Sequence, residues 1–361
     1  MAAALFTRNR FPAAPVSLSR AALRRSDGRV RVAVINSGCA NAITGRAGWA
    51  AAARVRRRAA ELLSCPENEI FLASTGVIGV VLPDSRVRAA LPNAIARLAP
   101  GGLDAASQAI LTTDAGPKVA AATFRVAGKR GRVVGFAKGA GMIHPNLATM
   151  LAFVMTDAAA TPGYLRAALR RAADRSFNAI SVDGDTSTND TVLLMASGCL
   201  QNPVLGGDAE GADFERALAS VCEDLAWRIV RDGEGATRVM EVTVSGAATT
   251  REAKLAAHAV ATSPLVKTAL HGGDPNWGRI LAAVGRSGAR FSPHRTSLSV
   301  GRLLLVSAGE PGAYRERDAA RVFARERVPI AVDLGAGSAT ARVLASDLGH
   351  DYVSLNADYR S

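Results

Sequence analysis

Short apolar runs rich in β-branched residues or leucine recur along the whole of this 361-residue chain, alternating with alanine-rich segments of helical spacing, and no linker separates the two kinds. Residues 30–35, 132–136, 239–244 and 303–306 read as strands. Residues 47–63 read as a helix with an arginine face. Thr161 followed by Pro162 is an N-cap with proline in the first turn, opening a helix towards Phe177. Asp213 is expected to cap another helix through Val230, stopped by Asp232-Gly233, and residues 249–260 and 264–270 are further helices. With no repeat and no low-complexity divider, the chain reads as an α+β layered fold.

Nearly half of the residues are apolar, 48%, enough for a substantial core without staples. The four cysteines, Cys39, Cys65, Cys199 and Cys222, lie far apart with no CxxC pair and no neighbouring histidine cluster, so neither a disulfide framework nor a zinc site is indicated. A reducing cytoplasm fits this usage. No apolar stretch reaches the roughly 18 residues of a membrane span. The arginine-rich first thirty residues superficially resemble a transit peptide, but Pro12, Pro15 and the strand-like Val16-Ser17-Leu18 argue against an amphipathic helix there. The formal charge of +13 is spread over helix faces without a lysine-rich tail or an aromatic stripe, which favours solvated arginines over a nucleic-acid surface. Such a charge would also raise the local concentration of an anionic substrate.

Loops dense in glycine, threonine, asparagine and aspartate are the places to look for chemistry. They are Asn36-Ser37-Gly38-Cys39-Ala40-Asn41, Ser74-Thr75-Gly76-Val77-Ile78-Gly79, Leu111-Thr112-Thr113-Asp114, residues 138–149, and residues 183–190. The last has three aspartates but not the spacing of an EF-hand, and turn chemistry is preferred to a metal site. There is no GxSxG elbow and no dinucleotide fingerprint. The five histidines are scattered, so a histidine-based triad would have to be assembled over long distances. A threonine at a chain N-terminus avoids that difficulty, because its own α-amino group serves as the base. Spacing alone does not single out Thr149 for this role.

The run Lys138-Gly139-Ala140-Gly141-Met142-Ile143-His144-Pro145-Asn146-Leu147-Ala148-Thr149-Met150-Leu151 resembles the self-cleavage segment of the bifunctional glutamate N-acetyltransferase/ornithine acetyltransferase family of arginine biosynthesis. The resemblance continues through Ser74-Thr75-Gly76-Val77-Ile78-Gly79, Thr112-Thr113-Asp114, residues 182–189, Asp232-Gly233-Glu234-Gly235-Ala236-Thr237, Asp274-Pro275-Asn276-Trp277-Gly278-Arg279 and Asn356-Ala357-Asp358-Tyr359-Arg360. It covers practically the whole chain. It implies a four-layer α/β/β/α sandwich of the N-terminal-nucleophile, ornithine acetyltransferase/DmpA-like type. It also implies a cut between Ala148 and Thr149, giving residues 1–148 and 149–361 as two intertwined pieces, with two copies of each in a heterotetramer.

The same resemblance implies that the Thr149 hydroxyl carries acetyl from N2-acetylornithine to glutamate through an acetyl-threonine intermediate. It assigns Thr75 and the Gly76 N–H to the oxyanion hole, and Lys138 to the substrate α-carboxylate. Glu234 falls to a substrate amine, Thr112 or Thr113 (Thr113 favoured) to the acyl group, and Asn356 and Ser361 to carboxy-terminal contacts. No cofactor, metal, nucleic acid or membrane is expected, and acetyl-CoA stays open as a second acetyl donor. On composition alone, Lys138 would be a surface charge, Glu234 a helix-exit acid and Thr75-Gly76 a turn. Family members begin with further strand before the segment that here reads Ala4-Leu5-Phe6-Thr7-Arg8-Asn9-Arg10, and Cys39 stands where asparagine is frequent. The alternatives are a self-processing aminopeptidase of the same fold and an inactive, N-terminally truncated homologue.

Overall fold

The computed structural model describes residues 1–144, 150–207 and 210–358. They group into two compact units. The first holds residues 1–178 and 185–229, and the second holds residues 179–184 and the described residues from Val230 onward.

The first unit contains, in chain order, β1 (Ala2–Phe6), α1 (Ala14–Arg25), β2 (Val32–Asn36), α2 (Gly45–Leu63), β3 (Ile70–Ser74), α3 (Asp84–Ala96) and α4 (Leu103–Ala109). There follow β4 (Lys118–Val126), β5 (Lys129–Lys138), β6 (Leu151–Thr156), α5 (Pro162–Arg175), β8 (Thr191–Ala196) and α6 (Ala212–Arg231). Its main sheet runs β1-β8-β6-β5-β4, and β2 pairs with β3 alone. β6 and β8 are parallel neighbours at the sheet centre and are buried on both faces, which is why they read as continuous apolar runs. β4 and β5 form a hairpin closed by Ala127 and Gly128 at φ 46° and 76°, both left-handed as a two-residue turn between twisted strands requires.

Two local expectations fail here, each for a tertiary reason. Val16-Ser17-Leu18 lies inside α1 and not in a strand, because Pro15 occupies the first turn, where no backbone donor is needed, and Pro15, Leu18, Ser19 and Ala22 bury one helical face. Ser19 then docks the helix on β3, its hydroxyl donating to Leu72 O (2.8 Å) and accepting from Leu72 N (2.7 Å). Asp213 sits in the first turn of α6 instead of before it, and its carboxylate accepts from Arg125 N at 2.9 Å, next to the β4–β5 turn. The Thr161 cap stands as read, its hydroxyl accepting from Tyr164 N.

The second unit contains β7 (Ile180–Ser181), β9 (Val239–Ala247), α7 (Thr250–Ala261), α8 (Pro264–Gly272), α9 (Trp277–Gly285), β10 (Ser297–Val300), β11 (Leu303–Ser307) and β12 (Glu310–Pro311). α10 (Glu316–Phe323), β13 (Arg327–Asp333), β14 (Ala339–Ser346) and α11 (His350–Asp358) complete it. Its mixed sheet runs β12-β11-β10-β13-β9-β14-β7. Val328, Ile330 and Val332 of β13 alternate inward with the period of a strand that has one face on the core. They pack in one cluster with Val242 and Val244 of β9 and Ala253, Ala257 and Val260 of α7. Asp274-Pro275-Asn276-Trp277-Gly278-Arg279 forms the corner between α8 and α9, where Asn276 caps α9 by accepting from Arg279 N. The fold class is α+β, a mixed sheet with packed helices in each unit. Among the described residues no helix is long and apolar enough to cross a membrane.

Candidate active site

β2 and β3 run parallel and in register as far as Asn36 opposite Ser74, and the two chains leave the pair side by side. Thr75 N donates to Asn36 O (3.0 Å) and Ala40 N to Val77 O (3.0 Å). Gly76 lies between these contacts at φ 124°, and a Cβ there would stand 2.3 Å from the Gly38 carbonyl carbon and 2.6 Å from Cys39 N. Only glycine fits such an approach. Thr75 is buried, and among the described residues the Gly76 N–H makes no hydrogen bond.

The end of the acid-rich segment holds these two loops together. Asn189 Nδ2 donates to Ala40 O (2.7 Å) and to Ser74 O (2.8 Å). Asn189 N donates to Ser187 Oγ, and Thr188 Oγ1 donates to Asn189 Oδ1. Residues 187–189 therefore spend polar groups on the protein itself, partly within their own turn and partly on carbonyls distant in sequence. Among the described residues no group of three or more His, Cys, Asp or Glu side chains is placed to hold a metal ion. Asp190 is fully buried, its Oδ1 accepts from Met150 N at 3.2 Å, and burial pushes its carboxyl well above the usual carboxylate range. Burial likewise raises the Cys39 thiol, which makes it a poor thiolate.

Lys138 ends β5 and is 3% exposed, so the surface-charge reading does not hold. Its Nζ donates to Thr112 Oγ1 (2.6 Å) and to Thr75 Oγ1 (3.2 Å), and pairs with Asp114 Oδ2 at 3.5 Å. The Asp114 side chain is wholly buried and accepts from Gly139 N (2.6 Å), Lys118 Nζ (2.7 Å) and Thr112 N (3.2 Å). Burial would push its carboxyl up, but the ammonium groups of Lys138 and Lys118 hold it below the ordinary value. Thr113 is exposed, whereas its neighbour Thr112 is bonded to Lys138.

In the second unit, Asn356 Nδ2 donates to Glu234 Oε2 at 2.8 Å and to Tyr352 O at 3.0 Å, so these two expected substrate contacts are bonded to each other. The loop that carries Glu234 is anchored just beyond it. The buried Asp347 carboxylate accepts from Thr237 N (2.8 Å), Arg238 N (3.0 Å) and Thr237 Oγ1 (2.6 Å).

Of the residues expected at the site, Thr75, Thr112 and Lys138 are brought into bonding contact within the first unit, and Gly76 and Thr113 adjoin them in sequence. Ala148, Thr149 and Ser361 lie outside the described residues. Sequence reasoning missed Asp114 and Lys118. Asp114 stood in a loop already singled out, and its signal was an acid directly after two candidate threonines. Lys118 gave none, because an isolated lysine at the head of a strand is ordinarily a solvated charge. Chemically, a hydroxyl and an adjacent unbonded backbone N–H, backed by an ammonium group, form a donor pair suited to a developing oxyanion.

The sequence matches the model of the ArgJ family over residues 1–361. The arginine biosynthesis bifunctional protein ArgJ of Symbiobacterium thermophilum is 51% identical over 362 residues, covering 100% of this chain and 89% of the relative. That of Geobacter sulfurreducens is 48% identical over 361 residues, covering 99% and 91%. The crystal structure of the arginine biosynthesis bifunctional protein ArgJ from Bacillus halodurans superposes with a TM-score of 0.56 at 43% identity, over 57% of this chain and 98% of that one.

Proposed function

The chain belongs to the ArgJ family, and from that premise we propose that it is a self-processing acetyltransferase of arginine biosynthesis, moving acetyl from N2-acetylornithine to glutamate. The Thr149 hydroxyl adds to the Ala148 carbonyl, and the peptide nitrogen leaves as the free α-amine of Thr149. Water then hydrolyses the resulting ester. Cleavage thereby creates the general base that the uncut amide nitrogen could not be. β6 lies two residues beyond the cut and pairs with β5, which precedes it, so the pieces 1–148 and 149–361 would stay joined in one sheet.

In the cut protein the Thr149 hydroxyl attacks the acetyl carbonyl, ornithine leaves, and the glutamate amine takes the acetyl group from the threonine ester. One observation carries this reading. Thr75 Oγ1 accepts from Lys138, which leaves the threonine hydroxyl proton for another acceptor, and the next N–H in the chain makes no hydrogen bond among the described residues. Such a pair stabilises the tetrahedral oxyanion, and losing one donor raises the barrier by about 3 kcal/mol. By the family resemblance Glu234 is assigned to the substrate amine, Thr112 or Thr113 to the acyl group, and Asn356 and Ser361 to substrate contacts from the carboxy-terminal end of the chain, while Lys138 serves either the substrate α-carboxylate or the oxyanion site. Two copies of each piece form the assembly, in the cytoplasm, with no cofactor.

Intact mass spectrometry under denaturing conditions tests the first step. Fragments 1–148 and 149–361 are expected from the wild type and a single chain from Thr149→Ala. Incubation with N2-acetylornithine adds one acetyl group to the C-terminal fragment, and glutamate removes it as N-acetylglutamate. An uncut wild-type chain would overturn the proposal. Acetyl release to water with no transfer to glutamate would favour the aminopeptidase-like alternative. Replacing acetylornithine by acetyl-CoA decides whether one donor is used or two.

A further inference from the structure

The Lys138 ammonium group is already held by protein groups. Among the described residues its Nζ donates to Thr112 Oγ1 at 2.6 Å and to Thr75 Oγ1 at 3.2 Å, and pairs with Asp114 Oδ2 at 3.5 Å. A substrate carboxylate would have to share this ammonium group with them. The bond to Thr75 also has a direction. A lysine can only donate, so Thr75 Oγ1 is the acceptor and its own proton is aimed elsewhere.

We propose that Lys138, held by Asp114, is a positioning residue of the oxyanion site, acting through Thr75 by bonding to the far side of its hydroxyl. The inference rests on the acetyl-transfer reading and deepens it. A hydroxyl that accepts from a cation becomes a stronger and better aligned donor, because hydrogen bonds in series polarise one another. Asp114 fixes the geometry from below. One carboxylate oxygen takes Gly139 N and Lys118 Nζ, which anchors the backbone directly after Lys138, while the other lies beside the Lys138 ammonium. Two ammonium groups against one carboxylate leave one positive charge in excess, in a region where both lysines are almost fully buried. Field from such a charge is poorly screened. Thr112 Oγ1 is held by the same ammonium, so the loop from Thr112 to Asp114 and the Thr75-Gly76 turn are tied through one nitrogen.

The test uses two acetyl donors, N2-acetylornithine and p-nitrophenyl acetate, which has an acetyl carbonyl but no α-carboxylate. The single-turnover acylation rate constant of Thr149 is measured in the wild type, Lys138→Met and Asp114→Asn, so that the fraction of chain that has cut itself does not enter. Both variants are expected to acylate about tenfold or more slower with both donors, less than the full loss of an oxyanion donor, while half-saturation by acetylornithine changes less than about threefold. In a Thr75→Val background, Lys138→Met adds no further loss with p-nitrophenyl acetate. Unchanged acylation of Lys138→Met by p-nitrophenyl acetate, with the loss confined to half-saturation by acetylornithine, would leave Lys138 a carboxylate holder and overturn the inference alone. Wild-type protein that takes no acetyl group from either donor would overturn the functional reading and this inference with it. Thermal unfolding accompanies each variant, and if Asp114→Asn does not fold, Lys138→Met decides.

Discussion

Gly76→Ala is the substitution whose cost the structure sets most directly. The added Cβ would stand 2.3 Å from the Gly38 carbonyl carbon and 2.6 Å from Cys39 N, against an ordinary contact of about 3.4 Å or more between carbon atoms. Neither atom belongs to a side chain that could rotate away. Both are backbone, in a segment held by the Ala40 N to Val77 O bond and the Cys39–Val77 bridge. Forcing the overlap costs about 1–3 kcal/mol, and a non-glycine residue held at φ 124° costs about 1–3 kcal/mol more. About 4 kcal/mol of destabilisation is therefore expected. Gly79→Ala is the matched control, since Gly79 also has positive φ, 81°, but a Cβ there meets nothing within 4 Å. Urea unfolding of both substitutions in the uncut Thr149→Ala chain reads the difference as a shift in midpoint at constant slope. The steric part of the argument fails if Gly76→Ala is no less stable than Gly79→Ala.

Asp84 is paired with Arg54 and Arg88 (2.8 and 2.9 Å), and those bonds hold its carboxyl at about 2. A depressed carboxyl contributes stability above its unfolded pKa. The gap between wild type and Asp84→Asn should be under about 1 kcal/mol at neutral pH and disappear as pH falls from about 4 towards 2; a gap that persists at pH 2 would rule out this linkage. Burial lowers Lys267 to about 8, against the opposing charges of Asp347 and Asp183, while its Nζ donates to Ser346. Between about pH 8 and 10.5 the unfolded chain keeps a proton that the folded one has lost. The stability of wild type relative to Lys267→Met should accordingly rise with pH across that range, and a flat difference in unfolding midpoint would contradict it. Thr161→Ala removes the hydroxyl that accepts from Tyr164 N at 3.2 Å, and a loss of about 1 kcal/mol is expected in the same unfolding assay.

What the sequence determined by itself is local. Apolar periodicity marked β5, β9 and β11, alanine with an arginine face marked α2, and Thr161-Pro162 marked the start of α5, because period and capping act within a few residues of the chain. The motif-bearing loops were legible for the same reason: glycine, asparagine and aspartate cluster where the backbone turns. What the tertiary structure alone decided is which distant group each polar side chain meets. Asp213 looked like a cap and serves Arg125 N, 88 residues away. Lys118 gave no local signal and is buried against Asp114, while Lys138 reaches Thr75 across 63 residues. Pro15 and Val16 became helix because a buried face outweighed strand propensity. A side chain's local preference is worth tenths of a kcal/mol to about one, whereas leaving a charge buried without its partner costs several, so the arrangement of the site followed from contacts that only the folded chain makes.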